Sequence, residues 1–354
     1  MFLFNKKEKN LEHKKDYKEL LNAFCIINFK FLAIGKMNGE LAIYDIINKK
    51  DVYDRQLFNK SITYLVKFER EKDDSNFIAC IEDSLIAFLK LEAFQNNENV
   101  YEYKVKKIKC FKDIHKSDIN KLEYFGKNIF ASCSNDKTFK IWNDIKKTTN
   151  LVIENNNGIE NFFLEEPKEN SFKRLIILNK KGALLFYLFK EKPIVKNIIF
   201  NIDYTNSKSM IKHGNRLFIG GYNNFQIISL NEMQIETIIK INNPVSCIYN
   251  LKNKSLILGK KNGELEFINI ANNKFNILKR KEILNLLNSI DFNFTNLFNN
   301  NNKIELFDDL PIKSFLIDSG KIFCISDEIF KVFDYGNYGN KESWLSILNP
   351  LNYL

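Results

Sequence analysis

Apolar residues in this chain fall in short runs, each followed within a few positions by a turn and a second, alternating run. Phe31-Leu32-Ala33-Ile34 leads into Gly35-Lys36-Met37-Asn38-Gly39-Glu40-Leu41. Leu256-Ile257-Leu258 leads into Gly259-Lys260-Lys261-Asn262-Gly263-Glu264-Leu265, the same seven residues with one change. Two apolar runs joined across Asn-Gly predict a tight β-hairpin, here a type I′ turn with positive φ at both central positions. Helical spacing shows at Ile283, Leu286, Leu287 and Ile290.

With that hairpin as a template, five more begin at Phe77, Ile129, Leu175, Leu217 and Ile322, which makes seven. Taking Leu32, Ile78, Phe130, Ile176, Phe218, Ile257 and Phe323 as equivalent points, the spacings are 46, 52, 46, 42, 39 and 66 residues. Alternating stretches such as ITYLVKF and VSCIYNL precede the hairpins, and others such as VYEYKVKKI and IETIIKI follow them, so each unit holds four short strands. A repeat of ~40 to 45 residues with four strands is the period of a propeller blade. The predicted fold is all-β, a single seven-bladed β-propeller of four-stranded antiparallel blades over residues 1–354. The long sixth spacing places an insertion at 271–311 between blades 6 and 7, either a surface loop or a docking element. Residues 335–354 form an apolar C-terminal tail that packs on the rim or clips into a partner. Unit seven shows no fourth strand of its own, and an open ring would leave two sheet edges unpaired. The N-terminal run MFLF, residues 1–4, is expected to close it.

The run from His115 to Asn143, HKSDINKLEYFGKNIFASCSNDKTFKIWN, resembles a WD40 repeat, with a His near its start, a Ser-rich strand, an Asp in the next turn and a Trp at its end. The resemblance implies a buried hydrogen-bonded set of His115, Ser132 or Ser134, Asp136 and Trp142, because a buried imidazole and a buried indole N–H each need a partner. His13-Lys14-Lys15-Asp16 echoes His115-Lys116-Ser117-Asp118 and puts His13 at the same repeat position. In the other units the Trp position is Tyr44, Phe88, Tyr187, Ile228, Ile268 or Phe333, and Trp142 is followed by Asn143 rather than Asp.

Composition narrows the function. The chain is 45% apolar and 27% charged, with a formal charge of +10, enough to bury a full core and basic enough to raise a polyanionic partner. Yet it has 48 Lys and 50 Asn against only five Arg, the pattern of an AT-rich coding sequence. Arg is the residue that grips phosphate and base edges in bidentate geometry. Its scarcity argues against a dedicated nucleic-acid reader, so an accessory RNA-binding or RNA-processing subunit is the alternative and rests on the Lys excess alone. The six cysteines are scattered, with no C-x-x-C pair, and read as buried hydrophobes in a reducing compartment, cytoplasmic or nuclear. No apolar run approaches the ~18 residues of a membrane span, and no signal segment is seen.

No phosphate loop, dinucleotide fingerprint or nucleophile elbow is present, and GKKNGEL recurs as a hairpin rather than a phosphate cradle. No metal, cofactor or catalytic set is therefore expected, and the chain reads as a non-enzyme. A closed ring with rigid faces and no chemistry of its own points to a protein-interaction scaffold, monomeric as a propeller and housed in a hetero-complex. Lys104, Lys106, Lys107, Lys109 and Lys112 fall on the outer strand of blade 2, where they guard a free edge.

The resemblance further implies that all the hairpin turns open onto one end of the ring. They carry Lys36 in blade 1, Glu82 and Asp83 in blade 2, Asp136 and Lys137 in blade 3, Lys180 and Lys181 in blade 4, Tyr222 in blade 5, Lys260 and Lys261 in blade 6, and Asp327 and Glu328 in blade 7. This predicts a face basic over blades 4 to 6 and acidic at blades 7 and 2. A crescent of Lys180, Lys181, Tyr222, Lys260 and Lys261 is the candidate dock for an acidic segment of a partner.

Overall fold

The computed structural model describes residues 11–334 apart from positions 29, 71–72, 96–100, 147, 166–173, 190–192, 207–208, 252–254, 271–274, 280–282, 284–303, 306–310, 319–320 and 328. Its strands form seven antiparallel sheets arranged as the blades of a β-propeller. Blade 1 runs outward through Leu21–Ile26, Phe31–Lys36, Glu40–Asp45 and Lys50–Gln56. Blades 2 to 6 repeat the order from first strands Ile62–Arg70, Ile119–Tyr124, Ile159–Leu164, Met210–His213 and Val245–Leu251. Blade 7 begins with Ser314–Asp318, Lys321–Ile325 and Ile329–Asp334.

The hydrophobic pattern follows from position in the blade. Second strands are covered on both faces by neighbouring blades, so Phe31–Lys36 and Ser255–Lys260 are buried at every residue and read as continuous apolar runs. Outermost strands face solvent on one side. Gln234–Lys240 therefore alternates between exposed and half-buried positions along its whole length. The core lies between blades rather than within them: Phe77, Phe88, Phe130 and Trp142, for example, fill the seam of blades 2 and 3.

The repeated hairpin turn differs from the expected type I′. Positive φ occurs at Gly39 (91°) and Gly263 (80°) but not at Asn38 or Asn262. Gly39 N–H donates to the Lys36 carbonyl at 3.2 Å and Gly263 N–H to that of Lys260 at 3.2 Å, which makes a type I turn with glycine at the left-handed bulge position. The Asn before it has another task, its Oδ1 accepting the Glu40 N–H at 3.0 Å and closing the turn from outside. Glycine is also required at Gly39 for room, since a Cβ there would stand 2.3 Å from the Phe58 carbonyl oxygen.

Closure of the ring departs from expectation as well. The fourth strand of blade 7 is Leu11–Asp16, antiparallel to Ile329–Asp334 with Lys14 opposite Lys331 and Lys15 opposite Phe330. MFLF lies outside the described residues. Connection length explains the choice: from Asp16 only residues 17–20 are needed to reach the first strand of blade 1, as short as the links 57–61 and 241–244 between other blades. His13 consequently stands in this closing strand opposite Val332 and not at the position of His115, which lies in a loop ahead of its blade's first strand.

The segment 271–311 is partly built into blade 6. Asn276–Ile277 pairs with one end of the third strand, Glu264–Asn269, and Ile304–Glu305 pairs with its other end. The extra residues thus leave and rejoin the outer edge of blade 6. Of the predicted helical positions only Ile283 is described; it is buried, while Leu286, Leu287 and Ile290 lie outside the described residues, as does the tail 335–354.

If Leu11–Asp16 closes the ring, deleting residues 1–16 removes several ladder hydrogen bonds and lowers stability by about 4 kcal/mol at roughly 1 kcal/mol each. Deleting residues 1–5 leaves the ladder whole. Urea unfolding of both truncations checks this, the expected result being a lower midpoint for the first alone.

Candidate interaction face

Second-turn residues of blades 2, 3, 4 and 6, namely Asp83, Asn135, Lys180 and Lys261, gather with linking residues such as Asp118, Asn206 and Pro311 at one end of the ring around a cavity of about 700 Å³. Its wall is produced by a repeated irregularity. The register of the first strand slips between Leu21 and Ala23, Ile62 and Tyr64, Ile119 and Lys121, Ile159 and Asn161, and Val245 and Cys247. The residue left out of the ladder is Asn22, Thr63, Asn120, Glu160 or Ser246, and every one of these lines the cavity. A bulge turns its extra residue out of the sheet. Here it turns a polar side chain into the mouth.

Several of these side chains also tie blades together. Asn22 Nδ2 donates to the Ile62 carbonyl at 3.1 Å and Asn120 Nδ2 to that of Ile159 at 2.7 Å. Ser246 Oγ donates to the Ile312 carbonyl. Asn206 adds a bond at 3.0 Å from its Nδ2 to the Ser246 carbonyl. The girdle thus lines the mouth and stitches the innermost strands. None of these positions was singled out from the sequence, although the recurring apolar-polar step Leu21-Asn22, Ile62-Thr63, Ile119-Asn120, Ile159-Glu160 and Val245-Ser246 is a visible signal.

The His115 group forms one connected set. Trp142 Nε1 donates to Ser132 Oγ at 3.1 Å, Ser132 Oγ lies 2.8 Å from His115 Nε2, and His115 Nδ1 lies 3.0 Å from Asp136 Oδ2. With neutral imidazole protonated at Nδ1, every donor in this chain meets an acceptor. Asp136 also takes Thr138 Oγ1 at 2.7 Å and the Lys116 N–H at 2.9 Å. Ser134 serves a neighbouring role, its Oγ donating to the Ser117 carbonyl and accepting the Asp136 N–H, both at 3.0 Å. Trp142 stacks on Phe130 with centroids 4.9 Å apart.

Ser132, His115 and Asp136 have the connectivity of a hydrolytic triad, but Ser132 is fully buried and its oxygen already holds the indole N–H. No substrate carbonyl can approach it, so the set fixes the entrance to blade 3. Asn143 in place of Asp keeps the end of the strand intact: its Oδ1 accepts the N–H groups of Ile145 at 3.1 Å and Lys146 at 2.9 Å, as Asp45 Oδ1 does for Ile47 and Asn48 in blade 1.

Burial pushes the His115 imidazole down to about 4, with Asp136 pulling the other way. Burial opposes ionisation of Asp136, yet the hydrogen bonds from Thr138 and the Lys116 N–H hold it at about 2.

The predicted crescent is divided. Lys180, Lys181, Tyr222 and Lys261 are exposed, and Lys180 and Lys261 line the mouth. Lys261 Nζ sits 5.0 Å from the centroid of the Tyr222 ring, within cation–π range. Tyr222 itself is 48% exposed, on a turn held by Asp203, whose carboxylate accepts the N–H groups of Tyr222, Asn223 and Asn224. Lys260 is not part of this surface. It is 3% exposed and its Nζ lies 2.9 Å from Glu266, because it is the last residue of a strand covered on both faces while Lys261 begins the exposed turn. Lys36, at the equivalent position in blade 1, is likewise buried and held by Glu40 at 2.8 Å and Asp54 at 2.7 Å.

The acidic turns are partly neutralised. Asp83 pairs with Lys60 at 2.5 Å, Asp327 with Lys313 at 2.9 Å, and Asp136 belongs to the His115 set; Glu328 lies outside the described residues. Asp118, which accepts a hydrogen bond from Asn135 Nδ2 at 3.3 Å, and Glu160 line the mouth on the side of blades 3 and 4. Two lysines of the blade 2 edge do more than guard it. Lys107 Nζ donates to the Leu57 carbonyl at 3.2 Å and Lys109 Nζ to that of Asp144, tying blade 2 to both neighbours. Among the described residues no helix is long and apolar enough to cross a membrane.

No protein-family profile and no curated protein sequence matches the chain. Solved structures do. Sqt1 of Saccharomyces cerevisiae, a WD40 propeller, superposes with a TM-score of 0.61 at 11% identity, covering 93% of this chain and 99% of that one. Raptor of Chaetomium thermophilum gives a TM-score of 0.69 at 9% identity over 93% of this chain and 29% of its own. The likeness supports a WD40-like propeller architecture.

Two outcomes follow for the His115 set. Trp142→Ala costs about 3 to 5 kcal/mol, as for other buried aromatic truncations, and Trp142→Phe, which loses one hydrogen bond, about 1 kcal/mol; thermal melts measure both. In the unfolded chain His115 protonates near 6.5, in the folded protein only near 4, so stability falls as pH drops through that window, by up to about 3 kcal/mol. Asp136 extends the loss to about pH 2. Urea unfolding between pH 7 and 4 measures the slope, and His115→Gln is expected to flatten it.

Proposed function

We propose that this chain is a WD40-like, non-catalytic scaffold in a multiprotein complex of the cytoplasm or nucleus, and that Lys180, Lys181, Tyr222 and Lys261 dock an acidic segment of a partner protein. The observation that carries this reading is selective pairing. Lys36, Lys60, Lys260 and Lys313 are all matched by carboxylates within the protein. Lys180, Lys181 and Lys261 have no ion pair among the described residues, and Lys261 lies over the exposed ring of Tyr222. Unmatched cations beside an aromatic ring attract carboxylates at long range and hold them at short range. Architecture supports the scaffold role, since the fold resembles proteins of the WD40 class. The cysteines Cys25, Cys110, Cys133, Cys247 and Cys324 are unpaired, which suits a reducing compartment.

The test is affinity purification of the wild type and of a variant with Lys180, Lys181 and Lys261 all changed to Glu, with nuclease added to both. Loss of an acidic partner at an unchanged melting temperature supports the reading. An identical partner list removes it, and partners lost on nuclease treatment alone would favour the RNA-associated alternative. Lys260→Glu serves as the contrast: it places two carboxylates together in a buried site and is expected to cost about 3 kcal/mol of stability.

A further inference from the structure

A second surface lies away from the mouth. The outer hairpin of blade 2 is unusually long, Leu85–Gln95 and Tyr101–Phe111, against six or seven residues in the outer strands of most blades. Its far end leans onto blade 1, where Tyr103 packs edge-on against Phe31 with centroids 4.8 Å apart and receives a hydrogen bond from Lys30 Nζ at 2.9 Å. The lean creates a groove of about 630 Å³ along the rim.

One wall of that groove contains every residue from Lys50 to Arg55. Side chains in a strand alternate between faces, so a wall made of consecutive residues is the edge of the strand. Lys50–Gln56 is the last strand of its sheet, and among the described residues its outer N–H and C=O groups have no strand partner. Such an edge is a template for an added strand unless something blocks it.

Charge selects the occupant. Of the groove's four carboxylates, Asp45 is held by Asn48 with Lys30 Nζ 3.8 Å away, Asp51 by Lys15 and Tyr17, and Asp54 by Lys36, while Glu102 belongs to the facing wall from blade 2. Lys50 and Arg55 are exposed and have no ion pair among the described residues. A bulge at Val52 sets Lys50 opposite Asp45 and Arg55 opposite Leu41, so the two lie on one face of the strand, four ladder steps or about 13 Å apart.

We propose that the outer edge of Lys50–Gln56 is a strand-addition site for an extended segment of a partner protein that carries two acidic residues four positions apart, on one face. The added strand takes its main-chain bonds from the edge, and its carboxylates meet Lys50 and Arg55. This surface is independent of the mouth, so a scaffold using both engages two segments at once.

The probe is the fluorescein-labelled peptide Thr-Glu-Val-Thr-Val-Glu-Thr, titrated with the full chain and followed by anisotropy. Saturation below about 1 mM is expected. Lys50→Glu with Arg55→Glu, both at exposed sites, should weaken binding about tenfold or more at an unchanged melting temperature, as should a peptide N-methylated at alternate amides. Hydrogen exchange should slow at residues 50–56 and not at 104–111. No binding, equal binding by the variant, or equal binding of the N-methylated peptide overturns the proposal. So does a dimer of the wild type that the variant lacks, which would assign the edge to self-association.

Discussion

A ring of sheets holds together only if its last blade is joined to its first. In this protein the join is the antiparallel ladder between Leu11–Asp16 and Ile329–Asp334, strands from opposite ends of the chain. All other blades form from contiguous sequence. This one sheet converts a string of blades into a closed body, and each inter-blade seam then has a neighbour on both sides. The next residue, Tyr17, extends the join: its hydroxyl donates to Asp51 of blade 1 at 3.1 Å, and Lys15 pairs with the same carboxylate.

Closure is what makes the mouth a site. Five first-strand bulges point polar side chains at a common axis, and they converge only because the strands are arranged around one. The same amides and hydroxyl that line the cavity bridge to the next blade. Rigidity and surface therefore come from the same residues, which suits recognition by a preformed face better than by one that must rearrange.

Much of the architecture was legible in the sequence because a propeller repeats its physics. The Gly-Lys-x-Asn-Gly-Glu-Leu hairpin, the doubly buried second strands and the His115 to Asn143 run each reflect a local demand for a turn, two covered faces or partnered polar groups. What escaped was set by neighbours. The closing strand reads LEHKKD, too polar to outrank MFLF on hydrophobicity, and is chosen by the length of the link to blade 1. Lys260 and Lys261 are adjacent in sequence, yet one is paired inside with Glu266 and the other lies over Tyr222. The strand, covered on both faces, ends between them, and the sequence does not mark where that end falls. The bulge residues were hidden because a register slip belongs to two strands, and a single strand does not reveal it.

The most direct measurement of the closed ring is a cross-link across its join. Lys14 and Lys331 stand opposite one another in the ladder, so the Lys14→Cys, Lys331→Cys double variant, with Cys110→Ser to remove an exposed thiol, is expected to form a disulfide on mild oxidation and to unfold at higher urea when oxidised than when reduced. Failure to cross-link in the folded protein, or a cross-link that leaves the urea midpoint where it was, would contradict closure by Leu11–Asp16.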